Sequence, residues 1–196
     1  MRGPLVLLLL LASCTYSLDG EISHTQAEIV RLQRSVPSES PLWIVDGPDR
    51  FDQFVEDDTP RVPDFIYFHL LRKLQKMSSA EIDGMCAGSF DWDACAKDPA
   101  TFRGKLYRTH GLIGRLESIP IAEAGSPVKS VHEGILFDGR RRPIRVHIVD
   151  KPDVVVLRED TVETVAVFVK LIEYTSVSGR RVTAPFFVGK VLRRFL

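Results

Sequence analysis

The sequence FDGRRRPIRVHIV, residues 137–149, joins a tight-turn signal to an alternating strand. Asp138-Gly139 is a dipeptide that two-residue hairpin turns favour, because such turns need positive φ at their central positions. After the turn, Ile144, Val146 and Ile148 alternate with polar residues, which is typical of a strand with one buried face. The pattern therefore predicts a β-hairpin whose second strand covers residues 143–149.

Four other segments have the composition of strands: residues 105–119, 133–137, 164–174 and 182–188. The first contains Gly111 and Gly114, which predict a bend. The connection over residues 152–160 is long enough for a helical turn or a crossover. A long bent strand, a hairpin, a longer connection and a closing hairpin follow one another as in an OB-type barrel. We therefore predict a five-stranded OB-like β-barrel domain over residues 99–196.

Residues 64–98, which precede the predicted barrel, form a helical region. An amphipathic helix is predicted from near Asp64, because its apolar residues recur at helical spacing on one face: Tyr67, Leu70, Leu71, Leu74 and Met77. Ser78-Ser79-Ala80-Glu81 then matches a capping box and predicts a second, short helix. The apolar helical face needs a partner, so we predict an α+β fold in which the helical N-terminal region packs on the C-terminal barrel.

The amino terminus has the layout of a secretory signal. Arg2 precedes an apolar run over residues 5–11, and this run is far shorter than the roughly 20 residues that cross a bilayer. The following Leu11-Ala12-Ser13-Cys14 resembles the lipobox of bacterial lipoproteins, which implies acylation of Cys14 and a membrane anchor. The alternative is an ordinary secreted protein cleaved after Cys14 or near Leu18. We predict a signal over residues 1–14, then a tether with irregular and helical segments over residues 15–63.

Three cysteines are an odd number for an exported protein. If Cys14 carries lipid, Cys86 and Cys95 remain as a pair, and an oxidising compartment favours a disulfide between them. Two free thiols are the alternative. A structural zinc site is disfavoured, since the pair lacks the close spacing of zinc ligands.

Three motifs in the second half resemble a known group of proteins. They are PATFRGK at residues 99–105, VAVFVK at residues 165–170 followed by Tyr174, and APFFVGK at residues 184–190. Together they resemble the C-terminal OB-like domain of uncharacterised bacterial exported proteins. The resemblance implies a fold for residues 99–196, but it implies no activity and no catalytic residue.

The charges are distributed unevenly along the chain. Residues 15–100 contain 16 acidic and 8 basic residues, whereas residues 101–196 contain 10 acidic and 17 basic residues. Two arginine groups lie where the predicted barrel would present ligand-binding turns and strands: Arg140, Arg141, Arg142 and Arg145, and then Arg180 and Arg181. These six residues are the predicted ligand-binding residues. Their alternative role is to balance the acidic half of the chain.

No catalytic motif is present, and the histidines do not follow a metal-ligand spacing. His110, His132 and His147 lie on predicted strands and would converge only if the barrel brought them together. We predict no catalytic residue, no metal and no cofactor. The predicted function is a non-enzymatic binding or assembly module of the cell envelope, anchored in the membrane. The predicted partner is an envelope protein or an anionic polymer, and export argues against nucleic acid. The alternative is a secreted hydrolase or metal-dependent enzyme with a dispersed site.

Overall fold

The computed structural model describes residues 55–59, 62–122, 126, 128–152, 154–176 and 179–195. All of them belong to one compact unit, residues 40–196. The predicted signal, Cys14 and most of the tether lie outside the described residues. None of the described helices is long and apolar enough to span a membrane.

The fold is α+β, with short helices before a six-stranded sheet. Helices α1 (Asp64–Lys76), α2 (Ser79–Gly84) and α3 (Trp92–Lys97) come first. The strands follow in chain order: β1 (Leu106–Pro120), β2 (Ser130–Phe137), β3 (Pro143–Ile148), β4 (Thr161–Thr175), β5 (Arg181–Gly189) and β6 (Arg193–Arg194). The predicted strand positions are thus confirmed to within a few residues for five of the six.

Five of the strands close into a ring. The order is β1-β2-β3-β5-β4, and β4 pairs back with β1. The β3–β5 pair is parallel and the other pairs are antiparallel. The sixth strand, β6, adds two residues beside Val162 and Glu163 of β4. This strand was not predicted, because two residues are too few to show alternation.

The interior of the ring is apolar. Inward residues of β3, namely Ile144, Val146 and Ile148, are at most 2% exposed, as their alternation predicted. Phe168 of β4 and Phe187 of β5 are fully buried beside them. The core continues into the chain before β1 through a set of partly buried aromatic residues: Phe90, Trp92 and Phe102.

Two glycines give β1 its shape. The β1–β2 register shifts between Ile113 and Arg115, which places the predicted bend at Gly114. A Cβ atom on Gly114 would lie 2.4 Å from the ring of Phe137, and one on Gly111 would lie 2.6 Å from the carbonyl oxygen of Phe137. The backbone of Phe137 at Gly111 and its ring at Gly114 leave no room for a Cβ atom without a shift of these neighbours.

Helix α1 covers the outside of the ring rather than its end. Its buried residues include Leu70, Leu71 and Leu74, and it lies against β5. Lys190, just after β5, donates its Nζ hydrogens to the carbonyl oxygens of Leu74 and Gln75, at 3.3 and 2.9 Å. This contact satisfies carbonyls at the C-terminal end of the helix, where the macrodipole favours a cation.

The second helix begins as predicted. Ser78 Oγ accepts a hydrogen bond from the Glu81 backbone N–H, and the Ser78 backbone N–H donates to Glu81 Oε2. The capping box is therefore confirmed. The connection between β3 and β4 contains a turn, in which the Asp160 backbone N–H donates to Val156 O at 3.0 Å and Arg158 lies at φ 67°.

Candidate functional site

Four polar side chains meet between helix α1 and the outer face of the ring. Glu133 of β2 is the register partner of His147 of β3, and Arg145 of β3 is the register partner of Phe186 of β5. Residues directly opposite each other on paired strands project from the same face. The inward alternation of β3 therefore turns Arg145 and His147 outward, toward Tyr67 of α1.

A continuous chain of hydrogen bonds joins these residues. The Tyr67 hydroxyl lies 2.7 Å from His147 Nδ1, and His147 Nε2 lies 3.1 Å from Glu133 Oε2. Arg145 donates to the same oxygen from Nε at 2.8 Å and also from Nη2. When His147 is neutral, an ionised Glu133 requires the proton on Nε2, so Nδ1 accepts the Tyr67 proton.

The network holds Glu133 in its ionised form. The hydrogen bond from His147, together with the hydrogen bonds and charge of Arg145, lowers the pKa of Glu133 to about 2 although burial opposes the shift. Tyr67 behaves in the opposite way. Burial raises the pKa of its hydroxyl well above the usual 10, so it stays protonated at neutral pH.

The network forms one wall of a pocket of about 300 Å³. The pocket is lined by polar residues of α1 and β3 and by apolar residues of neighbouring segments: Asp64, Tyr67, Arg145 and His147, and Val62, Ile172 and Phe186. The Phe186 ring meets the His147 ring edge to face at 4.8 Å and lies 5.9 Å from the guanidinium carbon of Arg145. The pocket thus combines an apolar wall with a few fixed polar groups, which is the usual composition of a ligand site.

Two charged groups in the pocket retain unused hydrogen-bonding capacity. Arg145 uses Nε and Nη2 on Glu133, whereas its Nη1 has no hydrogen-bond partner within the described ranges. Asp64 is exposed at the first turn of α1, and its carboxylate has no partner in the same part of the chain. The pocket therefore offers one cationic donor and one anionic acceptor to a ligand.

Of the six arginines predicted to bind a ligand, only Arg145 lines this pocket. Arg140 and Arg142 instead donate to the two carboxylate oxygens of Asp93, at 2.8 and 2.5 Å. Arg142 also pairs with Asp138 at 2.7 Å and lies over the Trp92 ring at 4.9 Å. These arginines therefore tie the β2–β3 turn to helix α3.

The other three predicted arginines are exposed in turns or at a strand end. Arg141 occupies the left-handed region at φ 60°, and its backbone N–H donates to Asp138 O at 2.8 Å. Arg181 begins β5 and pairs with Glu173 at 3.3 Å, with its side chain 84% exposed. Arg180 precedes it in the β4–β5 turn and is exposed.

The strand histidines do not converge. His147 belongs to the network, whereas His110 lies on the surface and stacks on Phe195 at 5.5 Å. His132 is the register partner of Ile148, so it projects from the opposite face to His147. Within the described ranges, no three residues of the metal-ligand types are grouped to hold an ion.

Both described cysteines are free thiols, so the structure does not contain the predicted bridge. Cys95 is fully buried in the core cluster, and burial raises the pKa of its thiol to about 12. Cys86 is half-buried, and its Sγ lies 3.4 Å from Gly88 O. The two thiols thus have different surroundings, and their pairing in an oxidising compartment stays a prediction.

Four residues of this site were not predicted from the sequence: Tyr67, Glu133, Asp64 and Phe186. Nothing in the sequence indicated that Tyr67 belongs to a polar site, because its helical spacing places it on the apolar face of the predicted helix. Glu133 is 5% exposed, although a lone glutamate at the start of a strand looks like a surface residue. No protein-family model matches this chain, and no curated protein matches it in sequence.

Proposed function

We propose that this chain is an exported, lipid-anchored envelope protein that binds a small ligand and does not transform it. Binding would take place in the pocket between α1, β3 and β5. The observation that carries the proposal is the pocket itself, in which an apolar wall faces Arg145 and the partly buried Tyr67–His147–Glu133 chain. Rigid, mutually supported polar groups of this kind orient a ligand.

We also propose that the five-stranded ring is an OB-type barrel. The closed order β1-β2-β3-β5-β4 supports this assignment, as does the parallel β3–β5 pair, which closes a ring of five strands whose other four pairs are antiparallel. Barrels of this type bind their ligands on the face of the second and third strands. Glu133 of β2 and Arg145 and His147 of β3 lie on that face.

The arginines of the β2–β3 turn support a small ligand better than an anionic polymer. Arg140 and Arg142 are neutralised by Asp93, and Arg142 also pairs with Asp138. These ion pairs reduce the net positive charge that the turn presents to an incoming polyanion. Polyanion binding usually relies on cations that neutralise the polymer and so release its condensed counterions.

An enzyme is the second candidate, and one observation favours it. A hydroxyl, an imidazole and a carboxylate in sequence resemble a nucleophile, its base and the group that orients the base. Two properties favour binding instead. Burial raises the pKa of Tyr67, which makes its phenolate scarce, and Glu133 is already saturated by Arg145 and His147. The chain of hydrogen bonds is therefore better suited to fix the polar side chains that line the pocket than to transfer protons.

The lipid anchor is tested by mass spectrometry of the mature protein from a bacterial host that processes lipoproteins. We expect an N-terminal diacyl- or triacyl-Cys14. Alkylation before and after unfolding shows, in the same experiment, whether Cys86 and Cys95 are free thiols or joined in a disulfide. An unmodified amino terminus near Leu18 would refute the anchor and leave a secreted protein.

The binding function is tested by ligand-observed NMR with a panel of small fragments that includes anionic, cationic, zwitterionic and neutral members. We expect a subset to bind the wild-type protein and to lose binding in Val62→Trp, because the indole fills the pocket from its rim. The matched control is Val154→Trp, since Val154 is 93% exposed and does not line the pocket. If no fragment binds, or if both variants bind as the wild type does, the binding function is wrong.

A further inference from the structure

The charges around the pocket select among classes of ligand. Arg145 and Glu133 form an ion pair, so together they contribute no net charge. Asp64 adds one negative charge at the rim. A ligand with a net negative charge would be repelled by Asp64, and a simple cation would face Arg145. Neither class uses both of the groups that have free hydrogen-bonding capacity.

A ligand that carries both a negative and a positive charge can bind both of the free polar groups in the pocket. A carboxylate on the ligand can accept from Arg145 Nη1, while an ammonium group can donate to the Asp64 carboxylate. The remaining wall of Val62, Ile172 and Phe186 requires an apolar body beside the two charged groups. The volume of about 300 Å³ limits the ligand to a small molecule.

We propose that the pocket binds a free α-amino acid with an apolar or aromatic side chain. The ammonium group would face Asp64, the carboxylate Arg145, and the side chain Phe186 and Ile172. This inference rests on the proposed binding function and adds the chemical class of the ligand. The Tyr67–His147–Glu133 chain acts in it as a positioning device, because it fixes the guanidinium of Arg145 through their shared contact with Glu133.

The inference is tested by calorimetry with three related probes: L-phenylalanine, N-acetyl-L-phenylalanine, which lacks the ammonium group, and L-phenylalaninamide, which lacks the carboxylate. We expect the amino acid to bind about tenfold more tightly than either analogue, which corresponds to one charged hydrogen bond. Equal binding of all three probes would overturn the assignment of a zwitterion.

Two variants assign each charge to its residue. Asp64→Asn is expected to weaken L-phenylalanine binding about tenfold. The acetylated analogue, a net anion, should bind this variant more tightly than the wild type, because the repulsion by Asp64 is removed. Arg145→Lys, which keeps the positive charge next to Glu133, is expected to abolish the preference for the acid over the amide. Asp98→Asn is the matched control, because Asp98 is exposed and does not line the pocket. An Asp64→Asn variant that weakens both ligands equally would contradict the proposed orientation.

The fragment panel separates failure of this inference from failure of the binding function. If other fragments bind in a Val62-dependent manner and L-phenylalanine does not, the pocket is a binding site of a different class. If neither the fragments nor L-phenylalanine binds, both proposals are wrong.

Discussion

Glu133→Ala is expected to lower the free energy of unfolding by about 3–5 kcal/mol, the range for removing one partner of a buried ion pair. The variant leaves Arg145 and His147 facing a buried position that no longer accepts their hydrogen bonds. The Glu133 side chain is only 7% exposed, so water replaces it poorly. Urea denaturation followed by far-UV circular dichroism measures the effect.

The matched control for this variant lies on the neighbouring strand. Glu117 of β1 is the register partner of Glu133, and it pairs with Arg115 at 2.5 Å on the surface. Its side chain is 53% exposed, so we expect Glu117→Ala to change the free energy of unfolding by less than about 1 kcal/mol. Equal losses in the two variants would mean that Glu133 is not part of a buried network.

The same variant has a pH signature. The folded-state pKa of Glu133 is about 2 and its ordinary value is 4.5, so ionised Glu133 stabilises the fold above about pH 4.5. This stabilisation is worth about 3 kcal/mol, and it disappears as the pH falls from about 4.5 toward 2. The stability difference between the wild type and Glu133→Ala should therefore shrink as the pH falls across that acidic window.

Asp57→Ala is expected to cost a similar 3–5 kcal/mol, because it removes the carboxylate from a second partly buried cluster. Asp57 accepts from Arg103 Nη2 at 2.5 Å and from the Leu171 backbone N–H at 2.8 Å. Lys170 is fully buried nearby and donates to Thr59. Burial lowers the pKa of Lys170, and the charge of Asp57 counteracts that shift, so the variant leaves two cations without this carboxylate.

The Asp57 cluster also joins residues 55–59 to β4. The Asp58 backbone N–H donates to Leu171 O at 3.1 Å, beside the register shift between Phe168 and Lys170. In Asp57→Ala we expect faster hydrogen exchange of the Leu171 amide in addition to the loss of stability. Asp58→Asn is the control: Asp58 is exposed at φ 62°, a conformation that asparagine tolerates, and its substitution should change stability by less than about 0.5 kcal/mol. An unchanged Leu171 exchange rate in Asp57→Ala would refute this role.

The local patterns predicted the regular elements because their causes lie close together in sequence. Alternation over residues 143–149 identified β3 and its buried face, and the apolar spacing after Asp64 identified α1. The Ser78–Glu81 capping box joins residues three positions apart, so the sequence contains the whole interaction. Each of these predictions depends on contacts within one turn or one strand.

The arginines of the β2–β3 turn have partners that are distant in sequence. Arg140 and Arg142 occupy a predicted turn, and that position suggested a ligand face. Their partner Asp93 lies 47 and 49 positions away in helix α3, and nothing near the turn in sequence indicates it. Whether an arginine is free or neutralised depends on which distant carboxylate the fold brings to it.

From its amino-acid sequence alone, this protein is predicted to be exported, to have an α+β fold and to have a strand that turns Arg145 and His147 to one side. The pocket could not be predicted from the sequence, because it depends on tertiary packing. Tyr67 contacts His147 although the two lie 80 positions apart in the chain, and strand register places Glu133 beside His147. Alternation specifies which face a side chain occupies, but not which other element covers that face. Helix α1 supplies that cover, and its docking partly buries Tyr67, completes the hydrogen-bonded chain and forms one side of the cavity.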